Sequence, residues 1–253
     1  MLRIVHNSIV LGAATLGLLA AGSFQPASAQ RDPGFLFGTP RASVTLKVGY
    51  SVPRAGSDLF AFTQRELTVE KDDFNGASIS GDLGIRLSER LDLTFGVGYA
   101  GSFTRSEFRD WVDADDLPIE QETRFHMVPM TVGAKAYLTD RGRNIGSLAW
   151  VPQGQINPYL GVATGLTWYR FEQFGEFIDF ETLDIFPENF LSNGFGPTVH
   201  ILGGVDVSVT PRLYFTGEGR YGWASAALDQ DFVSFDDLDL AGFQASAGIG
   251  FRF

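Results

Sequence analysis

Residues 243–253, Phe-Gln-Ala-Ser-Ala-Gly-Ile-Gly-Phe-Arg-Phe, alternate between apolar side chains and polar or very small ones. The odd positions hold Phe, Ala, Ala, Ile, Phe and Phe, whereas the even positions hold Gln, Ser, Gly, Gly and Arg. Because successive side chains of a β-strand point to opposite faces, the stretch predicts one strand with an apolar and a polar face. Chain ends are usually polar and fray, yet this strand ends on Phe253. Such a strand is typical of a transmembrane β-barrel, which presents its apolar face to lipid.

The same alternation recurs in seven earlier segments, which we predict to be strands. They are 42–52, 75–87, 91–105, 125–138, 158–170, 197–209 and 213–225. A period of two repeated in so many segments is a much stronger indication than any one of them alone. In lipid, only a closed barrel hydrogen-bonds both edges of every strand. The sequence therefore predicts an all-β fold, a closed antiparallel eight-stranded transmembrane β-barrel.

The connections between these strands alternate in length. Long polar connections are expected at 54–73, 109–122, 172–194 and 226–239, and tight turns at 88–90 and 210–212. Long extracellular loops and short periplasmic turns are the layout of outer-membrane barrels. The connection 139–157 is longer than a periplasmic turn should be, and a ten-stranded barrel is the alternative if 172–193 forms an extra hairpin. A soluble lipocalin-like barrel is a further alternative, but it conflicts with apolar outward faces.

The N-terminal residues 1–29 have the features of a secretory signal peptide. Arg3 precedes an apolar run at 9–21, and Ala27-Ser28-Ala29 is a small-x-small cleavage site. We expect residues 30–41 to be a periplasmic lead-in and 42–253 to be the barrel. No later stretch approaches the 18 uninterrupted apolar residues of a membrane-spanning helix. The predicted location is the outer membrane of a Gram-negative-type bacterium, after cleavage of the signal peptide.

Composition excludes several classes of function. The formal net charge of −11 over 253 residues argues against nucleic acid as a partner. The chain has no cysteine, which excludes disulfides and thiolate metal sites. Glycine and phenylalanine are abundant, at 30 and 23 residues, as expected for closely packed strands that meet lipid. We expect no cofactor.

The inward faces of the predicted strands carry nearly balanced charge. The predicted lumen charge network consists of Lys47, Asp82, Arg86, Asp92, Lys135, Asp206, Glu218, Arg220 and Arg252. Eight strands leave an interior just wide enough for side chains to fill, and buried charges must be paired. Arg86 and Asp92 flank a tight turn and are expected to face each other. The charges therefore predict a closed, hydrogen-bonded lumen, with a narrow channel for small solutes as the alternative.

The predicted loops are acidic. Residues 229–239 hold five aspartates and no basic residue, and carboxylates are the oxygen ligands that Ca²⁺ prefers. The candidate metal ligands are Asp229, Asp231, Asp236 and Asp237. Their spacing matches no EF-hand, so we favour solvated acidic loops and expect no metal site.

Aromatic residues form two groups. The first is a predicted interfacial girdle at the outer ends of the strands: Tyr99, Phe103, Trp168, Tyr221 and Trp223. The second is the Phe-rich segment 171–190. Its exposed apolar residues would mark an adhesive surface, but we favour their packing into a cap over the barrel.

Candidate catalytic groups are few. A deacylase needs a Ser, a His and an acid near the outer leaflet. His126 and His200 follow the predicted signal peptide, and neither has a Ser and an acid at a recognisable spacing. No P-loop, zinc motif or G-x-S-x-G element is present. We predict no enzymatic activity, and keep a lipid A-modifying enzyme as an alternative.

Several short motifs support a family resemblance. The alternating strands, Pro158-Tyr159-Leu160-Gly161, Gly203-Gly204-Val205-Asp206, Glu218-x-Arg220-Tyr221 and terminal Phe253 resemble the small eight-stranded outer-membrane β-barrel family, the OmpA-like transmembrane domain and its relatives. The resemblance covers nearly all of the chain after residue 29. It identifies fold and location better than activity.

The resemblance also implies partners. In that family the outer-membrane insertion machinery recognises a C-terminal aromatic strand, and the matching residues here are Phe243, Ile249, Phe251 and Phe253. The other expected partners are outer-membrane lipid and lipopolysaccharide, and the barrel is expected to be a monomer. No peptidoglycan-binding domain follows the barrel, so we do not expect wall anchoring. The predicted role is structural or surface-interacting.

Overall fold

The computed structural model describes residues 34–146, 148–179 and 182–253. The predicted signal peptide, 1–29, lies outside these ranges. Eight long strands dominate the described chain: β1 (Ala42–Pro53), β2 (Gly76–Arg86), β3 (Leu91–Val112), β4 (Pro118–Tyr137), β5 (Ile156–Ile178), β6 (Ile185–Ser208), β7 (Leu213–Ala226) and β8 (Gly242–Arg252).

The eight strands form a closed ring. Each strand pairs antiparallel with the next along the chain, from β1 to β8. The last strand then pairs with the first, with Ala247 opposite Val48 and Phe251 opposite Val44. This closure confirms the predicted eight-stranded antiparallel barrel. We call the end with the tight turns the inner end, and the opposite end the outer end.

The ring is apolar outside and polar inside. On β1 the side chain of Leu46 is 65% exposed, whereas the adjacent Lys47 is 1% exposed. The predicted faces of β8 are also found, because Phe243, Ile249, Phe251 and Phe253 are all exposed. An exposed apolar surface on every strand of a ring is what a barrel in lipid requires.

Two of the four predicted long loops are instead strands. Most of 109–122 belongs to β3 and β4, which are joined by a turn at 113–117. Most of 172–194 belongs to β5 and β6, which remain paired to Ile178 and Ile185. The prediction of long loops is therefore wrong at these two places. The second segment does form a hairpin, but it continues existing strands, so the ring keeps eight.

The first and last outer connections are long segments outside the eight paired strands. The first contains helix α1 (Asp58–Glu66) and a 3-10 helix (Lys71–Phe74). The last contains a 3-10 helix (Gln230–Phe232) and a short strand (Leu238–Asp239) that pairs with β7. Within the described ranges, the helices are all too short or too polar to cross a membrane.

These two connections close the outer end of the ring with an apolar core, which we call the cap. Phe60 of α1 lies at its centre, with ring centroids 4.8 Å from Phe74, 5.4 Å from Phe125 and 5.8 Å from Phe171. The fully or nearly buried members are Ala55, Leu59, Phe60, Leu67, Val69, Phe74, Phe108, Ile119, Phe125, Met127, Tyr169, Phe171, Ile178, Ala226, Phe232, Leu238 and Leu240. We predicted that the Phe-rich segment 171–190 packs into a cap. Phe171 does so, whereas Phe174 is exposed.

A small sheet closes the inner end. Strands Leu36–Phe37, Gly142–Ile145 and Ala149–Pro152 pair antiparallel, which explains the unusual length of the connection 139–157. Trp150 of this sheet is fully buried. A Cβ at position 142 would lie 2.2 Å from the Trp150 ring, so glycine is required there.

Candidate functional site

A cluster of ion pairs fills the centre of the lumen. Glu218 of β7 lies 2.7 Å from Lys47 Nζ, 2.9 Å from Lys135 Nζ and 3.1 Å from Arg220 Nη2. Asp82 of β2 lies 2.5 Å from Lys47 Nζ and 3.7 Å from Lys135 Nζ. Three cations thus share two carboxylates across the width of the ring.

Aromatic and hydroxyl groups complete the central cluster. Tyr159 donates its hydroxyl hydrogen bond to Glu218 Oε2 at 2.9 Å, and its ring lies 4.7 Å from Lys135 Nζ. The side chains of Lys47 and Glu218 are each 1% exposed. Buried charges are tolerated only when they are paired and hydrogen-bonded, and these groups meet that condition.

A second cluster lies at the inner end. Nη1 and Nη2 of Arg141 each lie 2.6 Å from an oxygen of the Asp92 carboxylate. The Arg141 guanidinium is 4.0 Å from the Tyr137 ring centroid. Tyr137 in turn donates a hydrogen bond of 2.8 Å to Asp206. The bidentate pair between Asp92 and Arg141 is the strongest geometry available to a carboxylate.

Arg141 was not among the lumen residues predicted from the sequence. Arg86 and Asp92 are opposite each other in register, but Arg86 pairs with Glu89 and stacks 5.5 Å from the Trp150 ring, while Asp92 binds Arg141. Arg141 comes from the connection 139–157, where the period-2 alternation fails. The one signal in the sequence is that Asp92, an inward acid, needs a basic partner, and Arg141 is a basic residue at the same end of the barrel.

The remaining predicted lumen residue is also buried. Arg252 of β8 lies 4.3 Å from the Tyr214 ring centroid and donates a hydrogen bond of 3.0 Å to Ser208. Tyr214 is hydrogen-bonded to Thr45 at 2.7 Å. The inner third of the lumen is therefore occupied by arginine–aromatic stacks.

Space inside the ring is small. A cavity of about 50 Å³ lies between the central cluster and the cap, lined by residues that include His200, Arg220 and Gln244. A second cavity, of about 10 Å³, lies beside Trp150 and Arg141. One water occupies about 30 Å³ of liquid, so the larger space suits one or two waters and neither space suits a solute.

The two histidines have separate surroundings. His126 is hydrogen-bonded to the Tyr99 hydroxyl at 2.9 Å on the outward face of β4. His200 is hydrogen-bonded to the Thr198 hydroxyl at 2.9 Å and is buried in the lumen. The distance between the Thr198 hydroxyl and His200 Nε2 would suit a nucleophile and its base, but the pair lies inside the closed ring.

The aromatic girdle residues lie on the outward face. Tyr99, Phe103 and Trp223 are exposed, and the rings of Tyr221 and Trp223 meet edge to face at 4.8 Å. Trp168 lies opposite Val128 of the neighbouring strand. On β3 and β5, Tyr99 follows the exposed Val97 and Trp168 follows the exposed Leu166 toward the outer end.

A row of charged residues lies directly beyond the girdle on β3, β4 and β5, and we call it the arginine row. It consists of Arg105, Glu122, Arg124, Arg170 and Glu172. Arg105 Nε and Arg124 Nη2 lie 3.1 and 2.9 Å from Glu122. Arg170 Nη2 and Arg124 Nη1 lie 3.1 and 3.9 Å from Glu172. The row was not predicted from the sequence, because the predicted strands end at these residues.

Two of the four candidate metal aspartates accept backbone hydrogen bonds, and the other two lie beside a cleft. Asp229 Oδ2 accepts a hydrogen bond from the Asn193 backbone N–H, and Asp231 Oδ2 accepts one from Leu191, both at 3.0 Å. These N–H groups belong to the outer part of β6, which has no partner strand on that side. Asp236 and Asp237 line a surface cleft beside Asp239. No group of three potential metal ligands occurs in the part of the chain that the structure describes.

Two clefts of larger volume lie outside the lumen. One of about 570 Å³ lies on the outer parts of β3, β4 and β5, between Arg105, Glu107, Glu120 and Phe174. Another, of about 550 Å³, is lined by Arg54, Asp236 and Trp223, among others. Both clefts are large enough for a small ligand and lie on the exterior.

Comparison with known proteins gives similarity at low identity. No family model and no curated protein matches the chain. Among solved structures, Neisserial surface protein A matches at 15% identity and a TM-score of 0.45, covering 87% of this chain and 97% of that one. The outer membrane protein OprG of Pseudomonas aeruginosa matches at 12% and 0.46, covering 86% and 99%. Ail, the attachment invasion locus protein of Yersinia pestis, matches at 12% and 0.40, covering 85% and 100%. The fold itself is established by the closed pairing of this chain's own eight strands.

Proposed function

We propose that this protein is a monomeric outer-membrane β-barrel with a closed lumen and a structural or surface-interaction role. The observation that carries the proposal is the central cluster, in which Glu218 joins Lys47, Lys135 and Arg220 across the ring. The cap lies above this cluster and Trp150 below it. Three successive barriers favour a barrel that works through its outer surface rather than by conduction.

The membrane location has its own support. Exposed apolar side chains occur on all eight strands, and an aromatic girdle follows them at the outer end. This is the surface that lipid stabilises and water does not. Outer-membrane lipid and lipopolysaccharide are its proposed partners, together with the insertion machinery that would recognise β8.

Planar-bilayer recording of the refolded protein tests the closed lumen. We expect no steady conductance from the parent, because the central cluster, the cap and Trp150 lie one after another along the lumen. Arg220→Ala removes one cation from the central cluster and should leave the cap and Trp150 in place, so it should also stay closed. Steady single-channel steps from the parent, altered in Arg220→Ala, would establish the alternative, a narrow channel for small solutes.

A non-enzymatic role is part of the proposal. His200 lies in the closed lumen with Thr198, and His126 is bonded to Tyr99, so neither arrangement offers an accessible nucleophile–base pair at lipid level. Mass spectrometry of lipid A from cells that express the protein should show the same masses as from cells that do not. A new lipid A species, lost in His126→Ala, would make the protein a lipid-modifying enzyme.

A further inference from the structure

We propose that the arginine row binds the phosphate of an anionic outer-leaflet lipid head group. The inference rests on the outer-membrane location proposed above and names the lipid chemistry that one face of the barrel would select. It places the phosphate among Arg105, Arg124 and Arg170, with the acyl chains against the apolar wall beneath them.

The position of the row relative to the apolar surface is the first argument. On β4 the outward side chains run from Met130 and Val128 through His126 to Arg124. On β5 they run from Leu166 through Trp168 to Arg170. On β3, Arg105 follows Phe103. Three adjacent strands thus change from apolar to aromatic or histidine to arginine, with Arg124 opposite Phe103 and Arg170 opposite His126. The guanidinium groups therefore lie at the outer border of the apolar surface, which is where lipid phosphates lie in a bilayer.

The available hydrogen-bond donors are the second argument. The side chains of Arg105, Arg124 and Arg170 are 77%, 41% and 37% exposed, whereas Glu122 and Glu172 are 24% and 10% exposed. An arginine has five N–H donors, and the contacts with the glutamates use one or two of each guanidinium. The two glutamates therefore hold the guanidinium groups in place and leave donors directed outward.

Charge complementarity is the third argument. The row carries three positive and two negative charges, on a chain whose net charge is −11. Guanidinium groups match phosphate oxygens in geometry and bind them with charge-assisted hydrogen bonds. Phe103 lies 5.5 Å from the Arg124 guanidinium and 5.8 Å from that of Arg105, so both heads are oriented before a ligand arrives.

The outer end of β1, on the opposite side of the barrel, differs from the arginine row in the residues that the structure describes. At the outer end of β1, Arg54 is bound to Asp239 at 2.7 Å, within the acidic cleft. The sheet of β3, β4 and β5 also continues beyond the row and carries the cleft of about 570 Å³ next to Arg105. A head group seated on the row would have room above it on this face.

Native mass spectrometry of the refolded protein in uncharged detergent tests the proposal. The parent is titrated with lipid A, with phosphatidylcholine and with inorganic phosphate. We expect lipid A to bind preferentially, and Arg124→Gln/Arg170→Gln to weaken that binding at least about tenfold, since charge-assisted hydrogen bonds are lost. Arg65→Gln/Arg90→Gln removes two exposed arginines elsewhere and should bind lipid A like the parent.

Three outcomes would overturn the proposal. They are equal binding of lipid A and phosphatidylcholine by the parent, equal loss in both double variants, and displacement of lipid A by an equal concentration of inorganic phosphate. Heat-modifiable gel mobility verifies that each variant is folded. If the glutamine variant does not fold, Arg124→Lys/Arg170→Lys keeps the charge and should bind lipid A more weakly than the parent. Bilayer recording on the same preparation separates the two proposals, because a conducting barrel that still binds lipid A through the row refutes only the closed lumen.

Discussion

Strand β5 passes through two regions with opposite side-chain patterns. In the ring, Leu166 faces outward and is half exposed, while Thr167 faces the lumen and is buried. Beyond Trp168 the pattern inverts, with Arg170 outward and Tyr169 and Phe171 buried in the cap. The strand geometry is continuous, so the change follows from the surroundings of its outer face.

The difference teaches that one sheet can enclose either kind of core. At the proposed membrane location lipid surrounds the ring, where apolar side chains face outward and the interior is held by ion pairs. Where water surrounds the sheet, arginine and glutamate face outward and the interior is held by phenylalanine. The ring and the cap should therefore respond to different substitutions, and the following variants test that separation.

Glu218→Gln should have the largest effect, and on the ring. The substitution removes the carboxylate shared by Lys47, Lys135 and Arg220 and leaves these cations buried with too little negative charge. We expect the free energy of unfolding to fall by about 3–5 kcal/mol. Urea unfolding in detergent micelles, followed by heat-modifiable gel mobility, measures it.

Two further variants sharpen that result. Lys47→Met/Glu218→Gln removes a cation together with the carboxylate and should lose less stability than Glu218→Gln alone, since removal of both partners leaves fewer unpaired charges. Glu188→Gln, on the exposed outer part of β6, is the matched control. A loss below about 1 kcal/mol for Glu218→Gln would show that the central cluster does not stabilise the ring.

Phe60→Ala should weaken the cap and leave the ring intact. Phe60 is fully buried between Phe74, Phe125 and Phe171, and its removal leaves a cavity. We expect a loss of about 3 kcal/mol, confined to local opening of the cap. Limited proteolysis should cut 54–73 faster, while urea unfolding of the ring stays unchanged. Phe174→Ala, at an exposed position, should do neither, and a ring that unfolds with the cap in Phe60→Ala would contradict two independent cores.

Asp229→Ala and Asp231→Ala should have smaller, local effects on the edge of β6. Each removes the acceptor for one backbone N–H, at Asn193 and Leu191 respectively, on an edge that would otherwise be open to pairing with another chain. The loss of each hydrogen bond should cost about 0.5–1.5 kcal/mol. Hydrogen exchange should accelerate at those two amides.

Asp237→Ala is the matched control, because it removes a carboxylate from the same connection that accepts neither of these bonds. Exchange at the two amides should be unchanged in this variant. Calcium should leave exchange in the parent unaltered. Protection by calcium that is lost in Asp229→Ala would instead support a metal role.

The inversion on β5 also explains what the sequence could predict. The strands β1, β2, β7 and β8 begin and end within about two residues of their predicted positions, because one alternation runs through each of them. The strands β3 to β6 were predicted too short. In their outer parts the apolar residues face inward and the polar residues outward, the reverse of the ring. The six acidic residues of 109–122 are also typical of a solvated loop. Alternation of either polarity indicates a strand, so these outer parts also carry a strand pattern.

The central cluster and the arginine row also differ in how far the sequence predicts them. The central cluster could be anticipated because each member lies on an inward position of a predicted strand. Arg141, Trp150 and the arginine row could not, since they depend on a folded-back connection and on cross-strand register. Pairs such as Arg124 with Glu172 join residues far apart in sequence, and no local pattern indicates them.

The smallest effect is expected at the inner rim, where the ion-pair chemistry of the lumen is repeated in water. Asp140 accepts hydrogen bonds of 2.6 and 3.2 Å from Arg90, and both side chains are exposed. The hydrogen bond and charge of Arg90 lower the pKa of Asp140 below its usual value. Because the folded-state pKa is depressed, the pair stabilises the fold above the usual aspartate pKa, and this contribution is lost as pH falls through the lowered value.

Arg90→Gln should return the pKa of Asp140 towards its usual value, which an NMR titration of the carboxyl group would show. The pKa should also rise in the parent at high salt, since exposed charges are screened. Urea unfolding near neutral pH should not change measurably, in contrast to Glu218→Gln, because an exposed pair exchanges contacts with water at little net gain. If the pKa of Asp140 is the same in parent and variant, Arg90 does not lower it. A large loss of stability would mean that this rim behaves like the lumen, and the distinction between lipid-enclosed and water-exposed charge would then fail.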